Sequence, residues 1–392
     1  MNLLAWCLVA SLCFGTLQEG AHVSIEQLPE IKELPDPFLK RDGSRISKRD
    51  EWKEQRKALL ESVLRYEYGA LPPVPRNVQA KEVAVKELEE GVGLERELLL
   101  SMGPKRSITT RLFLSVPSGA RKFPVIVVGD LGWGRVKPEI VLAVLRRGYA
   151  IAEFSRNEIA SDDAQPTGVF SAYPNYHGGR ISAWAWGYHR VIDYLVTQSF
   201  VNSKCLVVTG HSRGGKAALL AGATDERIAL TAPNNSGCGG AGCFRVVNTD
   251  PTPTRGEDIT AILKNFPFWF EPQFGEFIGK VAQLPFDQHT VKALIAPRAL
   301  LSTEALGDHW ANPHGTQLTY LAAKEVYAFF GVKNRIGIHF REGEHEHNLY
   351  DWETLLEFAD MQFFNRRSSR SFLSLPFERQ TQAFSWSAPQ KP

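Results

Sequence analysis

Short, mostly apolar runs alternate with helical patterns along this chain, and this alternation restricts its fold more than any other feature. Residues 122–129, 149–154 and 205–209 contain few polar side chains, as do parallel strands whose two faces are both covered. Helical patterns separate or follow these runs, at 139–147, 181–198, 216–223 and 351–364. We therefore predict an α/β protein with a mostly parallel central sheet and helices on both faces.

Further strands are predicted on both sides of this region. They lie at 80–88, 95–102 and 108–116 before it, and at 228–232, 298–303 and 335–340 after it. Residues 49–66 have helical apolar spacing that ends before Gly69. We divide the chain into an arm and helix at 21–75, a catalytic domain at 76–366 and a polar tail at 367–392. The tail is expected to pack loosely.

The first 20 residues are predicted to be a signal peptide. Residues 3–15 form a stretch of thirteen residues without a charge, too short to span a bilayer but suited to the apolar region of a signal. A buried N-terminal helix is the alternative. We expect a secreted or periplasmic protein that has no membrane association once the signal is removed.

Composition argues against several classes of protein. Lys plus Arg is 45 and Asp plus Glu is 43, a net charge of +2, which gives no basic surface for nucleic acid. The five cysteines contain no C-x-x-C pair, and whether Cys238 and Cys243 pair stays open. His345 and His347 have no ligand partners in the sequence pattern. We predict a monomer with no metal and no cofactor.

A G-x-S-x-G motif occupies residues 210–214, between the apolar run 205–209 and the helical run 216–223. In this strand–turn–helix context the motif predicts Ser212 as a nucleophile. Small neighbours permit a strained turn, and the N-terminus of the helix offers N–H groups and a positive dipole end to an oxyanion. A glycine-rich turn without a catalytic role is the structural alternative.

A base and an acid must accompany such a serine, in the chain order serine, acid, histidine. His345 and His347 both follow the strand predicted at 335–340, and their positions alone do not separate them. Glu304 and Asp308 both follow the strand predicted at 298–303. Glu304 lies close to the end of the strand, whereas Asp308 has the freedom of a loop, although it could instead cap a helix.

These motifs resemble those of the glucuronoyl esterases of carbohydrate esterase family 15, especially its bacterial members. The resemblance covers about residues 50–365. The matching segments are SRGGK at 212–216, DER at 225–227, SGCGG at 236–240, LPFDQH at 284–289, APR at 296–298, DHW at 308–310, GEH at 343–345 and DW at 351–352. It implies an α/β-hydrolase fold and cleavage of an ester between glucuronic acid on xylan and an alcohol, typically of lignin.

The resemblance also assigns roles to individual residues. It implies that Ser212 is the nucleophile and that His345, directly after its matching Gly-Glu pair, is the base in preference to His347. Arg213 would donate to the oxyanion through its side chain as well as its backbone. The positions that hold the glucuronate hydroxyls are matched by Lys216, Glu257 and Trp310.

Two features depart from the fungal pattern. Asn235 stands where fungal members carry a glutamate as catalytic acid, so the acid must come from elsewhere, and Asp308 matches the alternative bacterial position. His211 and Glu346 stand where fungal members have a disulfide beside the nucleophile and the base. That disulfide is therefore absent.

The implied chemistry is two-step acyl transfer on a glucuronoxylan or lignin–carbohydrate ester. Two other functions remain open on sequence alone. One is an acetyl-xylan esterase or another carbohydrate esterase. The other is a non-catalytic polysaccharide-binding protein that has kept the fold.

Overall fold

The structure is a computed structural model, and it describes residues 25–75, 77–247, 255–378 and 383–390. The predicted signal peptide lies outside the described residues. The strands are β1 (Gln79–Glu87), β2 (Gly93–Met102), β3 (Ile108–Pro117), β4 (Phe123–Val128), β5 (Ala150–Phe154), β6 (Val201–His211), β7 (Leu230–Asn234), β8 (Ala299–Ala305) and β9 (Ile336–Arg341).

The helices of the described residues surround this set of strands. They are α1 (Trp52–Val63), α2 (Pro138–Arg146), α3 (Arg156–Ile159), α4 (Val169–Ala172), α5 (Arg180–Leu195), α6 (Arg213–Thr224), α7 (Ile259–Asn265), α8 (Gln288–Ala293), α9 (Pro313–Phe330) and α10 (Leu349–Phe364). Within the described ranges, no helix is long and apolar enough to cross a membrane.

All of these strands join one sheet in the order β1-β2-β3-β5-β4-β6-β7-β8-β9. The first four strands in that order pair antiparallel. From β5 to β9 every neighbouring pair is parallel. The carboxyl ends of the parallel strands therefore meet at one edge, where loops of an open α/β sheet form ligand sites.

Both faces of the parallel strands are buried, as predicted. In β4, Val125 and Val127 belong to the core that contains residues of α5, α6, α8 and α9. Ile126 and Val128 belong to a second core, which contains residues of α2 and α10. Alternate side chains of a strand point to opposite faces, so a continuous apolar run supplies two cores at once.

The predicted strands and helices are confirmed, but the sequence analysis did not predict the short helices α3, α4, α7 and α8 or the long helix α9. Twelve of its 18 residues are buried, so it lacks the wide polar face by which an amphipathic helix is detected. Thr316, Gln317 and Thr319 are among the buried residues. They interrupt the apolar period that a sequence pattern would show.

The tail is not loosely packed at residues 383–390, and that expectation is wrong there. The backbone N–H of Leu34 donates to the carbonyl of Ala383 (2.8 Å), and the Trp386 indole donates to the carbonyl of Leu34 (2.6 Å). Phe384 is buried and shares an apolar cluster with Leu318 of α9. The tail and the N-terminal arm therefore pack together over α9.

The two edges of the sheet differ. Strand β1 is exposed along nearly its whole length and carries Lys81, Glu82, Lys86 and Glu87. Beside β9, the N–H of Ile338 donates to the carbonyl of residue 372 (3.0 Å) and its carbonyl accepts from the N–H of residue 374 (3.3 Å). A short stretch of the tail thus lies along the β9 edge.

Two buried histidines are expected to make the fold sensitive to acid. Burial lowers the pKa of His189 and of His289 to about 4, whereas an unfolded chain takes up these protons below about pH 6.5. Each therefore contributes stability that is present above pH 6.5 and is lost as pH falls toward 4, by roughly 1.4 kcal/mol per pH unit. We expect the urea midpoint to fall across this window. For the variant His289→Gln, the urea midpoint should fall less steeply with pH than for the parent. The control is His177→Gln, a change at an exposed histidine, whose midpoint should follow that of the parent. Identical slopes for the parent and both variants would show that the buried histidines are not the cause.

Candidate active site

Ser212 lies on a sharp turn between β6 and α6. Its backbone has φ 55° and ψ −122°, a sparsely populated region that persists only where the surroundings enforce it. A β-carbon at Gly210 would collide with the backbone of Gly214, and one at Gly214 would collide with the carboxylate of Asp130. The N–H of Ser212 donates to the carbonyl of Asn234 at the end of β7 (2.9 Å). The strand–turn–helix predicted from the motif is therefore present.

His345 and Asp308 come together from two different loops. His345 lies between β9 and α10, and its Nδ1 is 2.5 Å from Oδ2 of Asp308. The other carboxylate oxygen of Asp308 accepts from the N–H of Ala311 (3.3 Å). The two roles considered for Asp308, imidazole partner and helix cap, therefore occur together. The histidine side chain is 41% exposed and the carboxylate 3%, so the acid lies behind the base.

Glu304 and His347, the other candidates for acid and base, do not form this pair. Glu304 lies within β8 and is fully buried. Burial raises the pKa of Glu304 well above its usual range, although the ammonium of Lys292 opposes this rise. His347 stacks on Trp352, with ring centroids 4.9 Å apart, and burial lowers its pKa. The structure thus pairs His345 with Asp308, not with Glu304.

Arg341, which the sequence analysis did not single out, holds the loop that carries His345. Its Nε donates to both carboxylate oxygens of Asp351 (3.0 Å each). Its terminal nitrogens donate to three carbonyls of the loop: Glu342 (3.0 Å), Glu344 (3.2 Å) and Glu346 (2.8 Å). The only sequence signal was a charged residue at the end of a mostly apolar strand.

Two of the three positions that depart from the fungal pattern, His211 and Asn235, make contacts in the same region. The ring centroid of His211 is 4.3 Å from that of His345, and its Nδ1 is 2.6 Å from Oδ1 of Asn234. Burial, followed by the nearby His345, lowers the pKa of His211 to about 4, so it packs as a neutral ring near pH 7. Asn235 Oδ1 accepts from the N–H of Ala305 (2.9 Å).

A cavity of about 320 Å³ opens beside the serine. It is lined by every predicted site residue except Asp308, which lies behind His345: Ser212, Arg213, Lys216, Glu257, Trp310 and His345. Phe266 and Trp269, which the sequence analysis did not identify, also line it. The structure therefore gathers residues of the turn after β6, of α6 and of four separate loops around one space.

Lys216 and Glu257 form a buried pair in this cavity. The Lys216 ammonium donates to the carbonyls of Ser236 (2.7 Å) and Cys238 (2.5 Å) and lies 3.5 Å from the Glu257 carboxylate. Burial raises the pKa of Glu257, and the charge of Lys216 opposes this rise. The N–H of Glu257 donates to the carbonyl of Trp310 (2.9 Å). Glu257 therefore takes a fixed place beside Trp310.

Arg213, the first residue of α6, lies between aromatic rings. Its guanidinium carbon is 4.6 Å from the Trp269 ring centroid and 4.9 Å from that of Phe266. One terminal nitrogen donates to Asp162 (2.6 Å), whereas Nε is buried and has no partner among the described residues. Asp162 was missed by the sequence analysis, because nothing in its local sequence marks it.

The three cysteines of the described residues, Cys205, Cys238 and Cys243, are free and buried. Cys238 and Cys243 are thus not paired with each other. The described residues also contain no group of three or more histidine, cysteine, aspartate or glutamate side chains arranged to hold a metal ion.

Comparison with known proteins decides the family. A family model described as glucuronyl esterase of fungi matches residues 102–331. The chain belongs to the glucuronoyl esterases. The resemblance stated from the motifs is confirmed, and with it the α/β-hydrolase fold and the esterase class.

Relatives of this glucuronoyl esterase occur in fungi and bacteria. The 4-O-methyl-glucuronoyl methylesterase 1 of Wolfiporia cocos is 31% identical, over 80% of this chain and 76% of the relative. A family 15 glucuronoyl esterase of Caldicellulosiruptor kristjansonii superposes with TM-score 0.79 and 30% identity, over 93% of this chain and 99% of that one. A Sporotrichum thermophile glucuronoyl esterase, solved with methyl 4-O-methyl-β-D-glucopyranuronate, superposes with TM-score 0.71 and 27% identity, over 87% and 90%.

Proposed function

We propose that this glucuronoyl esterase is a secreted serine hydrolase that cleaves esters of (4-O-methyl-)glucuronic acid on xylan with lignin-type or simple alcohols. One observation carries the proposal: the strained Ser212 and His345, backed by Asp308, line the same cavity as the buried pair of Lys216 and Glu257. The ligand of the Sporotrichum relative and the name of the Wolfiporia relative support this substrate class. The charge-free stretch at 3–15 supports secretion.

Acylation would begin at Ser212. Because the Nδ1 side of His345 faces the Asp308 carboxylate, Nε2 is the nitrogen left to accept the hydroxyl proton. The serine oxygen then attacks the ester carbonyl carbon, and a tetrahedral oxyanion forms. Asp308 stabilises the imidazolium that results and holds it in the required orientation.

The oxyanion would be stabilised by N–H groups at the start of α6 and by the guanidinium of Arg213. The first N–H groups of a helix have no partner within the helix, and Arg213 lines the cavity beside Ser212. Loss of one such donor raises the barrier by roughly 2.7–4 kcal/mol in a site from which water is excluded. A fixed cation at this position therefore favours the transition state over the neutral ester.

Loss of the alcohol completes acylation, and deacylation would then use the same groups with water as the nucleophile. Collapse of the intermediate breaks the bond to the alcohol, which leaves with the proton held by His345. Water then gives its proton to His345, attacks the acyl-enzyme carbonyl and releases glucuronate, while the serine regains its proton.

The sugar would lie between Lys216, Glu257 and Trp310. Two of the three ammonium protons of Lys216 are committed to backbone carbonyls, so the longer contact to Glu257 (3.5 Å) is the one that a sugar hydroxyl would share. Trp310 is 41% exposed, so its ring leaves an apolar surface for the sugar ring. Hydrogen bonds to several hydroxyls make such a site reject substrates that lack them.

The test is a comparison of two ester classes. We expect kcat/KM for methyl 4-O-methyl-glucuronate to exceed that for acetylated xylose by at least about 100-fold, because only the uronate places its hydroxyls on Lys216 and Glu257. The variant Lys216→Met should raise KM for the uronate ester more than for the acetate. Turnover of the acetate but not of the uronate ester would replace this proposal with an acetyl esterase. Binding of xylan without any turnover would favour the non-catalytic alternative.

A further inference from the structure

We propose that Asp162 is a positioning residue of this active site, which fixes the guanidinium of Arg213 for stabilisation of the oxyanion. The inference rests on the proposed function in two respects, the use of an ester substrate and the role of Arg213 as an oxyanion donor. Asp162 lies between α3 and α4, far in sequence from Ser212 and outside the set of residues that line the cavity. Its effect would therefore pass through Arg213.

The Asp162 carboxylate makes two contacts that converge on the cavity. One oxygen accepts from a terminal nitrogen of Arg213 (2.6 Å), and the other accepts from the indole N–H of Trp269 (2.8 Å). The Asp162 side chain is 13% exposed, so water screens this ion pair less than it would screen one on the surface. A single carboxylate thus ties the proposed oxyanion donor to a ring of the cavity wall.

The hydrogen bond to Asp162 is needed to orient Arg213, because the other neighbours of its guanidinium do not fix its direction. Trp269, Phe266 and Trp133 lie within 4.6, 4.9 and 5.5 Å of its guanidinium carbon, and aromatic faces attract a cation without fixing its rotation. Nε is buried and has no partner in the part of the chain that the structure describes, which costs free energy that a solvent-exposed rotamer would avoid. The directional hydrogen bond to Asp162 is what opposes a swing of the arginine toward solvent.

The backbone that carries Asp162 is itself fixed. Arg180, the buried first residue of α5, lies over the Phe170 ring at 3.6 Å from its centroid. Its guanidinium donates to three carbonyls that flank Asp162: Ser161 (3.0 Å), Asp163 (3.0 Å) and Gln165 (2.7 Å). Asp162 therefore has its position before substrate binds, which is the condition for a preorganised electrostatic contribution.

A positioning role and a merely structural ion pair predict different kinetics. The oxyanion exists only in the transition state and the tetrahedral intermediate, so misplacing its donor lowers kcat and leaves KM nearly unchanged. A structural ion pair lowers the melting temperature without a selective effect on kcat. The two possibilities are therefore separable in one set of variants.

The experiment uses Asp162→Asn and methyl 4-O-methyl-glucuronate. We expect kcat to fall roughly 10- to 100-fold, with KM within about threefold of the parent. The matched control is Asp163→Asn, an exposed neighbour whose carboxylate contacts Ser161 and Gln165; its kcat should equal that of the parent. If Asp162→Asn does not fold, Asp162→Glu keeps the charge but displaces the carboxylate, and should show a smaller loss of kcat.

A double variant decides whether the effect passes through Arg213. In an Arg213→Gln background, Asp162→Asn should cause no further loss of kcat. An unchanged kcat in the single variant, or losses that multiply in the double variant, would overturn the proposal. Should the parent hydrolyse an acetate ester and not the uronate ester, the proposed function fails. The same cycle on the acetate ester then still tests Asp162, because every ester passes through an oxyanion.

Discussion

Replacing Ser212 by alanine is expected to lower kcat for methyl 4-O-methyl-glucuronate by at least about 10⁴-fold. No neighbouring group takes its place, because the strained turn presents this side chain alone between β6 and α6. Residual hydrolysis would come from the oxyanion donors and from substrate binding, which the substitution leaves intact. The measurement is single-turnover release of glucuronate with enzyme in excess.

The Ser212→Ala variant should still bind the sugar. Calorimetry with glucuronate should give a Kd close to that of the parent, because Lys216, Glu257 and Trp310 are unchanged. The circular dichroism melting curve should also remain similar, since the substitution removes only a partly exposed hydroxyl. If kcat survives within about tenfold of the parent, Ser212 is not the nucleophile and the acyl-enzyme mechanism fails.

Asp308→Asn is expected to lower kcat about 10⁴-fold. The amide would still accept from the N–H of Ala311 and so preserve the short helix that Asp308 caps. It would, however, favour the wrong imidazole tautomer of His345 and could not stabilise the imidazolium. KM should change little, because Asp308 lies behind the base and does not line the cavity.

The matched control for this prediction is Glu304→Gln. Burial raises the pKa of Glu304 well above its usual range, which favours the neutral carboxyl, and the amide of glutamine has a similar shape to that form. We expect kcat within about threefold of the parent, in contrast to the 10⁴-fold loss at Asp308. Equal and small effects at both positions would show that neither residue is the acid.

The sequence predicted those features that depend on local pattern. Continuous apolar runs indicate strands buried on two faces, and the glycines around Ser212 indicate a turn that larger residues would not permit. The choice between Glu304 and Asp308 was harder, because it depends on the residue at which β8 ends. Within a strand, one residue of register decides which side of the sheet a side chain faces. Glu304 lies within β8, and Asp308 lies beyond it.

Other features had no local pattern to reveal them. Asp162 reaches Arg213 across 51 positions of sequence, and only the packed loop brings the two together. Helix α9 was overlooked because the arm and the tail cover the side that would otherwise face water. Within the histidine loop, the contacts of Arg341 run to backbone carbonyls, which any residue type supplies, so the sequence of that loop carries no sign of them.

The two borders of the sheet have a consequence for how this molecule meets its own copies at high concentration. An open sheet offers unpaired backbone groups along its outer strands, and a second chain can add to them as a further strand. At β1 the lysines and glutamates would bring charge into any such pairing. At β9 the groups of Ile338 are already taken by the chain's own tail. Aggregation by addition of strands is thus opposed at the β1 edge by charged side chains and at the β9 edge by the tail, which already bonds to the backbone there.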